Sequence, residues 1–224
     1  MSKAMTRTSS TPEKPLCQPP RKLTDWLNPD GQRKVHSLVD KVYQPKNLRA
    51  AWDKVKANRG SGGIDGQSID AFEQDCDGHL HRLHEDLRTD RYQPLPVRRV
   101  DIPKAGKPGE WRPLGIPAVI DRVCQQALLN RLEPIFEPLF DDSSFGYRPR
   151  RSAKDALRKM WREIEAGAEW IVDADLKDYF GSIDHEKLLT LVAQRVADGR
   201  VLTLLERMLT AGAMQNGRLF PTTQ

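Results

Sequence analysis

The sequence predicts an α+β fold, and three observations carry that expectation. Apolar residues recur at helical spacing through most of the chain. Two strand-like runs, "VRRVDIP" and "EWRPLGIP", flank the turn-rich "KAGKPG" and read as a hairpin. Late in the chain, an apolar stretch around Trp170, Ile171 and Val172 reads as strand, and Asn216-Gly217 is a strong hairpin turn.

Taken in order, "MSKAMTRTSS TPEKPLCQPP" is a polar tail without the apolar run of a secretory signal. Val35, Leu38, Val39 and Val42 have helical spacing, as do Leu48, Ala51, Trp52 and Val55. "NRGSGGIDG" breaks the second of these helices, because its glycines tolerate positive φ. A helix from about Ser68 to Leu87 follows, then the hairpin, then a helix from Val119 to Leu132 ending near Pro134. Ser152 is placed to cap a helix with Ala153, Ala156, Leu157, Met160 and Ile164 facing inward. The strand 169–175 comes next, followed by a helix capped by Asp184 and running to about Ala197, and another from Val201 to Leu209.

Composition narrows the function. Charged residues make up 30% and mean hydropathy is −0.64, with no apolar run of membrane-spanning length. Cys17, Cys76 and Cys124 are few, odd in number and far apart, which argues for reduced thiols in a cytoplasmic setting rather than a disulfide framework or zinc cage. The formal net charge of +5 is concentrated: residues 145–162 carry seven Lys/Arg against Asp155 alone, and residues 91–112 carry six against Asp101 and Glu110. Cations clustered beside aromatic rings suit a polyphosphate backbone or a nucleotide. "DGHLHRLHEDL" reads as a polar helix face, since its spacing matches no common zinc pattern.

The acids in "EWIVDADLKDYFGSIDH" are the sharpest signal. On a strand, Asp173 and Asp175 share one face with Ile171, while Trp170, Val172 and Ala174 take the other. An ionised carboxylate is costly to bury unless a positive charge meets it. A carboxylate at a strand's end suits Mg²⁺, which takes oxygen ligands and keeps substrate phosphates in its shell. The alternative is an exposed edge acid and a turn former.

Asp175 is followed at the fifth position by Phe180, and this resembles the first catalytic motif of reverse transcriptases. "NRGSGGIDGQSIDAF", "VDIPKAGKPGEWRPLGIPAVIDRVCQQAL", "FEPLFDDSSFGYRPRRSAKDAL" and "DADLKDYFGSIDH" stand in the order found in bacterial group II intron-encoded reverse transcriptase/maturases. The resemblance covers about residues 24–224. It implies the fold of a right-hand polymerase: fingers that are mainly helical with a β-hairpin, plus an incomplete palm sheet. The segments become a tail at 1–23, a helical N-terminal extension at 24–90, fingers at 91–166 and a partial palm at 167–224.

Site roles follow from the same resemblance. Asp175 matches the Mg²⁺-binding palm aspartate, with the carbonyl of Leu176 as a further ligand. Phe180 matches the aromatic steric gate, whose ring would clash with a 2′-OH and select deoxynucleotides. Lys104 and Arg112 match fingers positions that meet the incoming triphosphate, one as a point charge and one as a bidentate fork. Arg148 resembles a position near template and nucleotide, and the "GSGGIDG" loop resembles a cover over template or primer. Implied partners are group II intron RNA, an RNA template, a DNA primer and dNTPs, with no membrane.

The resemblance also implies an Ala-Asp-Asp hairpin, and no "ADD" occurs in the 224 residues. The expected two-Mg²⁺ site is therefore incomplete, and the chain reads as an N-terminal part inactive by itself. Alternatives are an intron RNA-binding, splicing-assisting module without polymerisation, or a degenerate remnant. An unpaired palm strand further predicts self-association through its edge.

Overall fold

The computed structural model describes residues 34–222; the polar tail, Cys17 and the start of the extension lie outside them. Among the described residues are eight α-helices and a four-stranded sheet. Helix α1 (Val39–Val42) and α2 (Pro45–Asn58) lead into α3 (Ile69–Gln74) and α4 (Cys76–Arg88), then β1 (Val97–Pro103), β2 (Trp111–Ile116) and α5 (Val119–Phe136). Helices α6 (Ala153–Glu165), α7 (His185–Ala193) and α8 (Gly199–Thr210) follow, and β3 (Ala213–Gln215) and β4 (Arg218–Phe220) close the described chain. No described helix is long and apolar enough to cross a membrane.

The apolar stripes read from the sequence meet in one core. Val42, Leu48, Trp52, Phe72, Leu83, Val119, Val123 and Leu128 are all buried there, joined by Val196, Val201 and Leu204 from α8 and the turn before it. Trp52 and Phe72 stack with ring centroids 4.6 Å apart. Asn47 is buried but satisfied: its amide donates to the Val42 and Ala127 carbonyls at 2.8 and 3.0 Å, tying α1 and α2 to α5. Cys76 and Cys124 are buried free thiols, and burial pushes both thiols' pKa up.

The two ends of the described chain are latched together by one carboxylate. Asp198 accepts from the Leu38 and Val39 N–H groups at 2.6 and 2.8 Å, and from Arg200 and Val201 at 3.1 and 3.4 Å. It therefore serves the first turns of both α1 and α8. Burial pushes its pKa up, but the four backbone N–H groups outweigh burial and hold the carboxyl below its usual range. A lowered folded pKa means that this stabilisation is present above the ordinary aspartate range and disappears as pH falls through the folded value. Asp198→Ala is expected to cost about 2 kcal/mol, roughly one cap at each of two helices, and to flatten the acid limb of a stability-against-pH curve.

Several boundaries differ from the sequence expectation. The helix expected over 68–87 is broken at Asp75 (φ −128°, ψ 42°), so α3 and α4 bury their apolar residues separately. Helix α5 runs through Pro134 to Phe136; the lost N–H falls in its last turn, and Leu132, Ile135 and Phe136 pack on the core. Helix α7 stops at Ala193, because Val35 pairs with Val196 in a parallel bridge that draws the chain out of helical geometry.

The sheet corrects a larger expectation. Its order is β2-β1-β3-β4, with β1 and β2 antiparallel and β1 and β3 parallel. The Asn216-Gly217 hairpin forms as expected, with φ of 51° and 75°, but it extends the sheet of the first hairpin rather than starting a palm sheet. The strand expected over 169–175 does not form. A strand exists only through its neighbour's hydrogen bonds, and no described strand lies beside it, so Trp170 and Val172 are each 90% exposed. The α6 residues expected inward are also uncovered: Leu157, Met160 and Ile164 are exposed, although Ser152 and Asp155 form the full capping box.

Candidate functional site

The hairpin that carries Lys104 and Arg112 is positioned by its sheet and by α5. Arg112 stands opposite Ile102 in the β1–β2 register, with its side chain exposed at the hairpin's outer end. Lys104 begins the turn: its N–H donates to the Glu110 carbonyl at 2.9 Å, and its ammonium donates to the Glu110 carboxylate at 2.8 Å. Such a half-exposed pair is worth about 0–1 kcal/mol, so an anionic ligand can displace Glu110 at little cost.

Beneath the hairpin, the glycine loop lies against the start of α5. A Cβ at Gly63 would sit 2.5 Å from the Ala118 Cα and N, so only glycine allows this backbone approach. Arg122 fastens the loop by donating to the Pro117 carbonyl at 3.1 Å and to the Ser61 carbonyl, and Arg98 donates to the Ser61 hydroxyl at 3.2 Å. The sequence does not single out Arg122; its signal there is a cation one turn into a helix whose neighbours Asp121, Val123 and Cys124 are buried.

Arg148 sits differently from a cation waiting for a ligand. Its side chain is 6% exposed and grips Glu137, with Nε 3.1 Å and one terminal nitrogen 2.9 Å from the same carboxylate oxygen. The remaining donors reach the carbonyls of Glu137, Asp141 and Ser144 at 3.2, 2.6 and 3.1 Å, and the Phe140 ring lies 5.3 Å beneath. Every N–H of the guanidinium thus faces a partner within the 137–148 loop. Arg151 repeats the pattern on Asp142, at 2.9 Å, with Phe145 under it.

Asp175, Leu176 and Phe180 lie on the exposed stretch between α6 and α7. Asp175 makes no hydrogen bond or ion pair with another described residue, so its carboxylate is available to an external cation. Phe180 opens a short 3₁₀ turn to Ser182, where the Ser182 N–H donates to the Asp178 carbonyl at 3.0 Å. The turn is tight at its second residue: a Cβ at Gly181 would collide with the Asp178 carboxylate at 2.6 Å. The ring of Phe180 meets Tyr147 at 6.4 Å and Tyr179 at 5.3 Å, both edge-on.

Oxygen donors are the right chemistry for Mg²⁺, but one carboxylate and one carbonyl fall short of the six oxygens it takes. Among the described residues no group of three His, Cys, Asp or Glu side chains could hold a metal. The donor set present among the described residues fits the ion only in part.

A family model described as "Reverse transcriptase (RNA-dependent DNA polymerase)" matches residues 102–223, more than half of the chain. The chain belongs to the group II intron reverse transcriptase/maturase family. Protein YkfC of Escherichia coli is 36% identical over 203 residues, which are 88% of this chain and 53% of that protein. The group II intron-encoded protein LtrA of Lactococcus lactis is 31% identical over 211 residues, 92% of this chain and 34% of LtrA. A 91 kDa protein in the cob intron of Schizosaccharomyces pombe is 34% identical over 170 residues, 75% of this chain and 20% of that protein. The chain thus spans about half, or less, of the length of the relatives it matches. The segment from Lys104 and Arg112 through Arg148 to Asp175 and Phe180 lies wholly within the matched region.

Proposed function

We propose that this chain supplies the nucleotide-binding half of an RNA-directed DNA polymerase encoded by a group II intron. In this reading Lys104 and Arg112 hold the incoming triphosphate. Asp175 and the Leu176 carbonyl hold Mg²⁺, and Phe180 stands where a 2′-OH would collide. Intron RNA, an RNA template, a DNA primer and dNTPs are the ligands, and the intron RNA contact would serve splicing as well as synthesis.

The observation that carries the reading is the carboxylate of Asp175, unpaired among the described residues, one short turn before the exposed ring of Phe180 and within the reverse transcriptase match. No described residue engages the Asp175 carboxylate through a hydrogen bond or ion pair, which leaves it open to an external cation. The basic hairpin and the glycine loop held by Arg122 support a polyanionic partner.

One carboxylate cannot place two ions on the attacking and leaving oxygens, so the 224 residues alone are expected not to extend a primer. Fused to the part of LtrA that lies beyond its 211-residue match, the chain is expected to extend a DNA primer on an RNA template with Mg²⁺ and dNTPs. A folded, RNA-binding fusion that adds no nucleotide defeats the polymerase reading. If that fusion still promotes intron splicing, the RNA-binding alternative takes its place.

A further inference from the structure

The 137–148 loop is built to hold a ring in water. Arg148 spends all its donors inside the loop, on the Glu137 carboxylate and the carbonyls of Glu137, Asp141 and Ser144. The residue immediately before it, Tyr147, has φ +54° and is 99% exposed. A bulky residue in the left-handed region is strained, and a fully solvated aromatic gives up its burial energy. Both costs fall on one residue of a tightly fastened loop. The Tyr147 ring is aimed at Phe180, 6.4 Å away at 79°, and Phe180 in turn meets Tyr179. Phe180 is itself 72% exposed.

We infer that Tyr147 is a nucleotide-contacting residue: its ring and that of Phe180 form two walls that take the base and sugar of a nucleotide, and Arg148 acts as the positioning residue that holds Tyr147 there. The choice of ligand rests on the polymerase reading. The ring geometry does not, because two crossed, exposed aromatic rings accept any planar heterocycle. Arg148 contributes through Tyr147 and not by touching phosphate, since a guanidinium with its donors taken has none to offer.

The test uses the 224-residue chain, with deoxyguanosine and with dGTP and Mg²⁺ as separate probes, read by saturation-transfer NMR at the base H8 and sugar H1′ protons. Both probes are expected to receive transfer from the parent chain. In Tyr147→Leu the dissociation constant should rise about tenfold, in the range of base–aromatic stacking, while Tyr147→Phe stays within about twofold. Arg148→Lys should lose about as much as Tyr147→Leu, and the double variant should be no weaker than Tyr147→Leu alone. Parent-like binding by Tyr147→Leu, equal loss in Tyr147→Phe, or no transfer to the parent chain overturns the contact. Additive losses in the double variant overturn the positioning role of Arg148. A fusion that fails at primer extension while nucleoside binding stays dependent on Tyr147 defeats the polymerase reading and leaves this one standing.

Discussion

Asp175→Asn, in the fusion that completes the polymerase, is expected to lower the rate of nucleotide addition by about a hundred- to a thousandfold while leaving the fold unchanged. Asn keeps one oxygen and the shape of the side chain but removes the negative charge that a hard cation requires. The separation of fold from chemistry is clean at this position. Asp175 has no hydrogen bond or ion pair to a described residue, so its replacement leaves no donor stranded. Unfolding free energies of parent and variant should agree within the few tenths of a kcal/mol typical of exposed sites. Single-turnover primer extension gives the rate, and intron splicing measured in parallel reports RNA binding. Full-rate synthesis by the variant would remove Asp175 from the metal site. Loss of synthesis with splicing intact would confine the carboxylate to polymerisation.

Asp121→Ala is expected to have the largest effect on stability, about 2–5 kcal/mol by chemical denaturation. Asp121 is 1% exposed, near the start of α5. It accepts a hydrogen bond from the Tyr92 hydroxyl and another from the Leu95 N–H at 3.1 Å. Alanine would strand both donors in the core, at about 1–3 kcal/mol each. Burial pushes the Asp121 carboxyl above the usual range, against the opposing pull of its two donors, and also pushes the Tyr92 hydroxyl upward. For an acid with a raised folded pKa, stability is greatest below the ordinary carboxylate range and declines as pH rises through the folded value. That slope runs opposite to the slope from Asp198, so the two substitutions should bend the pH profile in opposite senses. The damage should also reach function, because Leu95 lies two residues before β1, the strand that delivers Lys104.

Much of this was legible in the residues themselves. The stripe of Leu48, Ala51, Trp52 and Val55 is core in the structure as the spacing implies. Ser152 and Asp184 cap the helices they precede, because short-range geometry alone brings a side-chain oxygen to a nearby N–H. Asn216-Gly217 turns the chain for an equally local reason: both residues accept positive φ. The family could be read from the order of four motifs, since order survives in a sequence without any knowledge of contacts.

What local pattern could not supply was partnership. Whether 169–175 becomes a strand depends on a neighbour donating to it, and alternating apolar residues say nothing about whether one is present. The same limit hid the joining of two hairpins into one sheet through Val97 and Ala213, 116 positions apart. Arg148 shows it most sharply: its motif suggested a ligand contact, whereas only the folded loop reveals that its donors are taken by Glu137 and nearby carbonyls. Helix periods, caps and turns are settled by energies acting within a few residues and were determined by the sequence alone. Strand pairing, burial of the α6 face and the employment of each arginine depend on which distant groups arrive, and only the tertiary structure decided them.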